Sequence, residues 1–389
     1  MKILILTGKF GMGHYSAAKS IEQKLCKNFS FDEIKLVDIF EHTYKEFCEV
    51  IYKSYSLLIN KGASLYNLAY KKATKNTGEN HTIALIRKNL YEHVNRLLKE
   101  EQADLVISTY SVSSMLISEY KQKTKSDLPL ITVITDINPH DTWVNPLTDW
   151  YLVADASTKE YLQAIGISPS KIRISGMPLG EDFEKRIGKS GFDRANYKMS
   201  NRMQEEDSAT AFGTNTKKHL LIMGGGLGLI PKDLDFYQRI NRIDSLHTTV
   251  VTGKNERLYR KLRNRFDNIE VLGYCHDICE RMSRADILLT KSGGITTFEA
   301  ICTQTPMVIF RPFLEQEIPN ADFIKKENIG IELQCGLENP RRAIRAIEEL
   351  LADEDWRCQM KKNMKALSKR WDTDVIFDLI ELQSISESA

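Results

Sequence analysis

Short β-type runs alternate with helix-length stretches along this chain, and they do so in two series. The first comprises Ile3–Leu6, Ile34–Val37, Leu105–Ser108, Leu130–Ile134 and Trp150–Val153; the second comprises Leu220–Met223, Thr248–Val251, Ile269–Leu272, Ile287–Leu289, Met307–Ile309 and Ile329–Leu333. Strands separated by helices pair in parallel, because only a crossover of that length returns the chain to the same edge of the sheet. The expected fold class is α/β, with two doubly wound parallel sheets. A length of 389 residues fits two domains better than one. Between the series, 181–218 mixes charges with Ser, Asn and Gly, includes the polar run Gln204–Thr210, and reads as a linker with a flexible loop.

Composition narrows the class. Hydrophobic residues at 42% and charged residues at 27% are those of a soluble globular protein, and no apolar run approaches the ~20 residues that span a bilayer. The opening run Met1–Leu6 is too short for a signal peptide and leads into a glycine loop, so it reads as a buried first strand in a cytoplasmic protein. Seven cysteines without paired metal-ligand spacing indicate reduced thiols; Cys275 and Cys279 share a helical spacing but have no second ligand pair for zinc. A net charge of +2 offers no general attraction to nucleic acid. Between Phe40 and Lys75, however, Tyr44, Phe47, Tyr52, Tyr55, Tyr66 and Tyr70 are interleaved with Lys45, Lys53, Lys61, Lys71, Lys72 and Lys75. Aromatics with lysines suit the headgroup layer of an anionic membrane, and they equally suit a helical pair whose rings pack on their own domain.

Chemistry is most legible at Thr290–Ala300, where an apolar strand passes through Ser292-Gly293-Gly294 into a helix. Free N–H groups and the positive dipole end at the helix start favour an anion, and glycines let a phosphate approach the backbone. Glu299, one to two turns in, is placed to accept hydrogen bonds from a ribose, so the stretch suggests a nucleotide; alone it also resembles an ordinary strand-to-helix turn. Gly11-Met12-Gly13-His14 and Gly224-Gly225-Gly226-Leu227-Gly228 stand after the first strand of each series. In doubly wound sheets, ligands bind at those strand ends.

Gly11–Ala18, Thr135-Asp136 with His140 and Trp143, Gly176-Met177-Pro178, the glycines after Met223, Gly273-Tyr274 and Lys291–Glu299 together resemble one family over nearly the whole chain. It comprises the monogalactosyldiacylglycerol synthases and processive diacylglycerol glucosyltransferases, relatives of the lipid II N-acetylglucosaminyltransferase. The resemblance implies a GT-B fold, with two Rossmann-like domains facing a cleft. Residues 1–180 would receive the acceptor, 219–373 would bind a UDP-sugar, and a final helix within 374–389 would pack back on the first domain. It implies that Gly225 and Gly226 lie against the diphosphate, that Gly293 and Gly294 complete the cradle, that Ser292, Ile295 and Thr296 belong to the same donor site, that Glu299 takes the ribose, and that Gln316, Glu317 and Asn320 touch the donor sugar. Where the family tends to have Pro-Gly before the Gln-Glu pair, this chain has Leu314-Glu315. The expected donor is UDP-glucose or another UDP-hexose and the expected acceptor is diacylglycerol, met peripherally at the anionic inner face of the cell membrane.

Inverting transfer needs a base, and His14 at a helix start is the candidate, since that position disfavours imidazolium. Asp136, after the strand ending at Ile134, is expected to orient or assist it; a capping Asp before Pro139 is an equal reading. Gly13, His140 and Trp143 are expected at the acceptor entrance; for His140 and Trp143, packing beneath the Asn138-Pro139 turn is an equal reading. No Asp-x-Asp pair stands at a strand end, so neither metal nor cofactor is expected. Alternatives that keep the fold are a UDP-sugar epimerase and a transferase with a soluble acceptor; a nucleotide-sugar-binding regulator without turnover is a third reading.

Overall fold

The computed structural model of the protein describes residues 1–10, 12–29, 33–61, 81–137, 139, 141–187, 217–310, 317–333 and 340–386. His140, Gln316, the Gln204–Thr210 run and the lysines and tyrosines of 62–80 lie outside these residues. Among the described residues twelve strands form two six-stranded sheets, parallel throughout.

The first sheet holds β1 (Lys2–Thr7), β2 (Glu33–Asp38), β3 (Leu105–Ser108), β4 (Leu130–Val133), β5 (Trp150–Val153) and β6 (Ile172–Ile174), in the order β2-β1-β3-β4-β5-β6. The second holds β7 (Lys218–Met223), β8 (Leu246–Val251), β9 (Ile269–Leu272), β10 (Ile287–Thr290), β11 (Met307–Phe310) and β12 (Gly330–Leu333), in the order β12-β11-β10-β7-β8-β9. Central strands are apolar at successive positions because helices cover both faces; Ile3, Leu4, Ile5 and Leu6 are all at most 1% exposed. In each sheet the winding reverses once, between β1 and β3 and between β7 and β10. At a reversal the loops leaving the two strands diverge, and the gap between them is where such sheets take ligands.

Two corrections to the sequence reading concern element identity. Strand β6 was not foreseen: it is three residues long with Arg173 at its centre, too brief and too polar to register as a buried run. Cys275 does not share a helix with Cys279, because it lies in the turn before the helix Ile278–Arg284.

The sheets are joined by packing as well as by chain. Ile137, Ala154, Met177, Leu179 and Phe183 from the first half share one apolar cluster with Leu221, Met223, Leu288, Phe298 and Ile301 from the second. The helix Val375–Ser386 returns to the first sheet, where Val375, Ile376, Leu379 and Ile380 pack with Ile3, Ile5, Ile107, Ile131 and Leu152. The crossing is held by Lys24, whose Nζ donates to the Thr373 carbonyl at 2.5 Å and pairs with Glu184 at 3.0 Å and Asp374 at 3.1 Å. Just before it, Trp371 lies with its ring centroid 5.2 Å from that of Phe298, and it also covers Gly176.

Gly176 has φ +72°, and a Cβ there would stand 2.8 Å from the Trp371 ring. Gly176→Ala therefore combines a left-handed strain with a clash at the crossing, and the expected outcome is a loss of about 1–3 kcal/mol, read as a lowered Tm. An unchanged Tm would show that the crossing is softer than this packing implies.

Candidate active site

Two helices begin at the two reversals and meet end to end. The helix Gly13–Asn28 follows β1, and its N-cap Met12 adopts φ 69° without a side-chain cap. The helix Gly294–Thr303 follows β10, and its N-cap Gly293 likewise has no side-chain cap. Each leaves first-turn N–H groups without a capping side chain, so two positive dipole ends face one space. They touch: a Cβ on Gly13 would lie 3.5 Å from Ile295 Cγ1, and one on Gly294 would stand 2.8 Å from the Thr135 carbonyl oxygen. Gly294 is thus required for close approach of the two halves, which a sequence reading gives only as a phosphate-binding role.

His14 sits at the start of the first of these helices. Its Nδ1 lies 2.6 Å from Thr135 Oγ1, and its backbone carbonyl accepts from Thr109 Oγ1 at 3.0 Å. Its ring has the Tyr110 ring at 5.0 Å and the Trp143 ring at 5.9 Å between centroids. Asp136, the residue after Thr135, accepts from Trp143 Nε1 through Oδ2 at 2.8 Å. Trp143 is wholly buried, so it does not line an entrance; it fixes the Asp136 carboxylate and backs the His14 ring.

On the facing half, the turn Gly224–Gly228 is knit to the end of β8. Lys254 N–H donates to the Gly226 carbonyl at 2.9 Å, and a Cβ on Gly228 would fall 1.9 Å from the Thr252 carbonyl oxygen. Gly225 and Gly226 are left facing the opposite loops: Met12 Cγ lies 3.7 Å from the Cβ position of Gly226, and Lys291 Cε 3.8 Å from that of Gly225. Lys291 Nζ also lies 3.6 Å from the Cβ position of Gly293 and is ion-paired with Glu317. A cation therefore stands between the two glycine turns. Its position in the turn was visible in the sequence, but nothing in the spacing marked it as pointing inward.

Behind this turn, Ser292 is fully buried; its hydroxyl donates to the Glu317 carbonyl at 3.0 Å, and its own carbonyl accepts from Asn320 Nδ2 at 2.8 Å. Ser292 thus anchors the segment entering the helix Ile318–Lys326 rather than presenting its side chain to the space. Thr296 is buried in the first turn of its helix, whose start is further tied by Thr297 Oγ1 donating to the Gly293 carbonyl at 2.8 Å. Glu317 and Asn320 are both 4% exposed, yet Glu317 Oε2, Asn320 Oδ1 and the nearby Thr290 Oγ1 have no hydrogen-bond partner among the described residues. Buried polar atoms are nearly always paired, so an orphaned group set beside a glycine cradle is a place for a ligand's hydroxyls. Glu299 has the same character: its half-buried carboxyl has no partner among the described residues, and removal from water pushes it up to about 7. No group of three or more metal-ligating side chains occurs among the described residues.

This arrangement finds counterparts among known proteins. Residues 14–179 match the family of monogalactosyldiacylglycerol (MGDG) synthase, and residues 229–373 match the glycosyltransferase family 28 C-terminal domain. The processive diacylglycerol beta-glucosyltransferase of Bacillus subtilis is 30% identical over 393 residues, covering 98% of this chain and 95% of the relative. The enzyme of the same name from Bacillus licheniformis is 29% identical, with the same coverage. In fold, the chain is similar to MurG of Acinetobacter baumannii (TM-score 0.60, 11% identity, 98% of each chain). It is similar also to the UDP-GlcNAc 2-epimerase of Neisseria meningitidis bound to UDP-GlcNAc (TM-score 0.59, 14% identity, 98% of this chain and all of that one). With two parallel sheets facing across opposed helix starts and a relative at 30% identity over nearly the full length, the chain is a GT-B glycosyltransferase and belongs to the family of monogalactosyldiacylglycerol synthases and processive diacylglycerol glucosyltransferases.

Proposed function

We propose that the protein transfers a hexose from a UDP-sugar to the free hydroxyl of diacylglycerol, with inversion, at a membrane surface. The observation that carries this reading is the line from His14 through Thr135 to Gly294, which sets a base candidate one residue's width from an uncapped helix start. Donation of Nδ1–H to Thr135 Oγ1 puts the basic lone pair on Nε2, and the positive ends of both helices disfavour imidazolium. His14 then takes the proton of the acceptor hydroxyl as that oxygen attacks the sugar's anomeric carbon and the bond to the diphosphate breaks. Asp136, held by Trp143, is a positioning group for this face. The relatives' name specifies a β-glucoside, and a β product from an α-linked nucleotide sugar requires one inverting displacement.

Charge on the departing UDP is met by the N–H groups of the Gly294–Thr303 helix start, by the Gly225 and Gly226 turn, and by Lys291. Glu299 receives the ribose, while Glu317 and Asn320 hold the sugar's hydroxyls with their unpaired oxygens. The first half serves as the acceptor domain and 219–373 as the donor domain. Membrane docking is assigned to the segment around Phe47 and Val50, which are 69% and 60% exposed beside Lys45 and Lys53. No helix among the described residues is long and apolar enough to cross a membrane, so contact with the lipid is peripheral in this reading.

His14→Ala is expected to lower UDP release in the presence of diacylglycerol vesicles by about 10²–10⁴-fold with glycolipid formation lost in parallel. UDP release that does not depend on the vesicles would instead favour a soluble acceptor or an epimerase, and an unchanged rate in His14→Ala would remove His14 as the base. EDTA is expected to leave the rate unchanged, and abolition by chelation would refute metal-free transfer.

The Glu299 carboxyl has a definite sign. Ribose hydroxyls donate to its ionised form, so donor affinity is full above about pH 7 and falls up to about tenfold per unit below it, as a proton competes. Because its folded value lies above the ordinary 4.5, the nucleotide-free protein loses stability as pH rises from that value toward 7. Glu299→Gln is accordingly expected to raise the Tm of the free protein at pH 8 while weakening UDP binding and flattening its pH profile. A donor affinity constant from pH 6 to 8 in the unaltered protein would rule this out.

A further inference from the structure

A cavity of about 490 Å³ opens on the first half, away from the opposed helix starts. His42, Tyr44, Lys45, Glu46, Phe47, His93, Arg96 and Glu100 line it together with Thr43. It lies between the helix Ile39–Tyr44 with its 3₁₀ continuation Lys45–Phe47 and the long helix His81–Glu101. Its volume falls within the ~300–1,000 Å³ of small-molecule sites.

The wall chemistry discriminates among ligand classes. Lys45 and Arg96 are balanced by Glu46 and Glu100, so an anion gains no net charge from entering. None of these four side chains has a hydrogen bond or an ion pair among the described residues, and all four are exposed rather than spent on one another. His42 is lowered by burial and by His93 nearby, so the neutral ring brings one donor and one acceptor. Thr43 Oγ1 is buried in the wall without any partner. Tyr44 and Phe47 add aromatic faces. Donors and acceptors both present, with formal charges in balance beside aromatic rings, fit a neutral polyhydroxyl ligand, whose every hydroxyl is both donor and acceptor and whose ring C–H face is apolar.

Position then selects the form of that ligand. Phe47, on the cavity rim, is 69% exposed, and Val50, one turn on, is 60% exposed. A sugar held here has apolar side chains at its mouth, as a lipid-linked sugar would require and a free one would not. The turn Lys45–Phe47 also runs directly into the helix Cys48–Lys61, whose Tyr52 meets Phe10 at 4.8 Å; Phe10 meets Tyr110 at 6.0 Å, and Tyr110 meets His14 at 5.0 Å between centroids. A chain of ring contacts thus links the segment that carries the cavity to the His14 ring.

We propose that this cavity is a second, non-catalytic site for the hexosyl headgroup of a membrane glycolipid, by which the enzyme is retained on membranes that contain its own class of product. The inference rests on the proposed glycolipid-forming function for its biological sense, but its binding step is read independently of turnover. The test is flotation of the full chain with phosphatidylcholine vesicles, with and without monoglucosyldiacylglycerol, for the unaltered protein and for Arg96→Gln, Glu100→Gln and Phe47→Ala. Glycolipid vesicles are expected to bind the unaltered protein about tenfold tighter than plain ones. Arg96→Gln and Glu100→Gln should abolish that preference, while Phe47→Ala should weaken binding to both vesicles. First-sugar transfer to detergent-dispersed diacylglycerol should be the same in the unaltered protein, Arg96→Gln and Glu100→Gln, which also reports that these fold.

Equal binding of the unaltered protein to both vesicles overturns the proposal, as does a preference that survives both polar substitutions. Competition by excess methyl glucoside supports a sugar site, whereas a preference for anionic vesicles alone assigns the cavity to charge and overturns it. A protein that floats with glycolipid but forms none in detergent would leave this site standing and remove the proposed reaction.

Discussion

A backbone carbonyl and a glycine set the geometry of this protein. The Thr135 carbonyl ends the central region of one sheet, Gly294 starts a helix on the other, and no side chain separates them. Everything at the site is indexed to that approach. Thr135 also holds the His14 ring, Asp136 follows it in sequence, and the turn that delivers Gly294 delivers Lys291 and Ser292 as well. Two helix starts are thereby brought together without capping side chains, an arrangement that concentrates positive potential in one place and that only an anion relieves. In the proposed reaction one feature would serve twice, the opposed helix starts meeting the diphosphate and disfavouring imidazolium at His14.

The site is built with its polar groups incomplete. Glu317 Oε2, Asn320 Oδ1 and Thr290 Oγ1 are buried without partners among the described residues, and the Glu299 carboxyl is raised by removal from water. Each such group disfavours the folded, empty protein, because its hydration is lost and nothing replaces it. In the proposed function a nucleotide sugar would bring hydroxyls to these acceptors, so that binding energy and relief of this cost would be the same contacts.

Sequence alone made the sheets and the three glycine loops legible, because buried strands and phosphate-type turns leave marks in residue type. β6 escaped, being three residues long with an arginine at its centre. At the site, the positions were visible but several of the jobs were not. Ser292 and Trp143 lie in recognisable motifs, yet both are buried and act on neighbouring groups, since side-chain direction is a property of packing. Lys291 and Met12 were passed over for the converse reason: each is an ordinary residue in its turn, and only the approach of the opposite loop makes it part of the wall. The approach of Gly294 to Thr135 joins residues far apart in the chain, and no local pattern encodes it.

The return of the final helix has a consequence for how the protein comes to exist. Val375, Ile376, Leu379 and Ile380 complete the core beneath β1, β3, β4 and β5, although those strands are made first. On a ribosome the first sheet therefore emerges with this face covered only in part, by Ala18, Ile21 and Leu25 of the helix Gly13–Asn28, and its core closes after the second sheet has been made. The first half therefore does not complete its core from its own stretch of chain; a helix made after the whole second sheet finishes it. Loss of Val375–Ser386 would spare every residue of the site and still leave the earlier-made sheet incompletely covered.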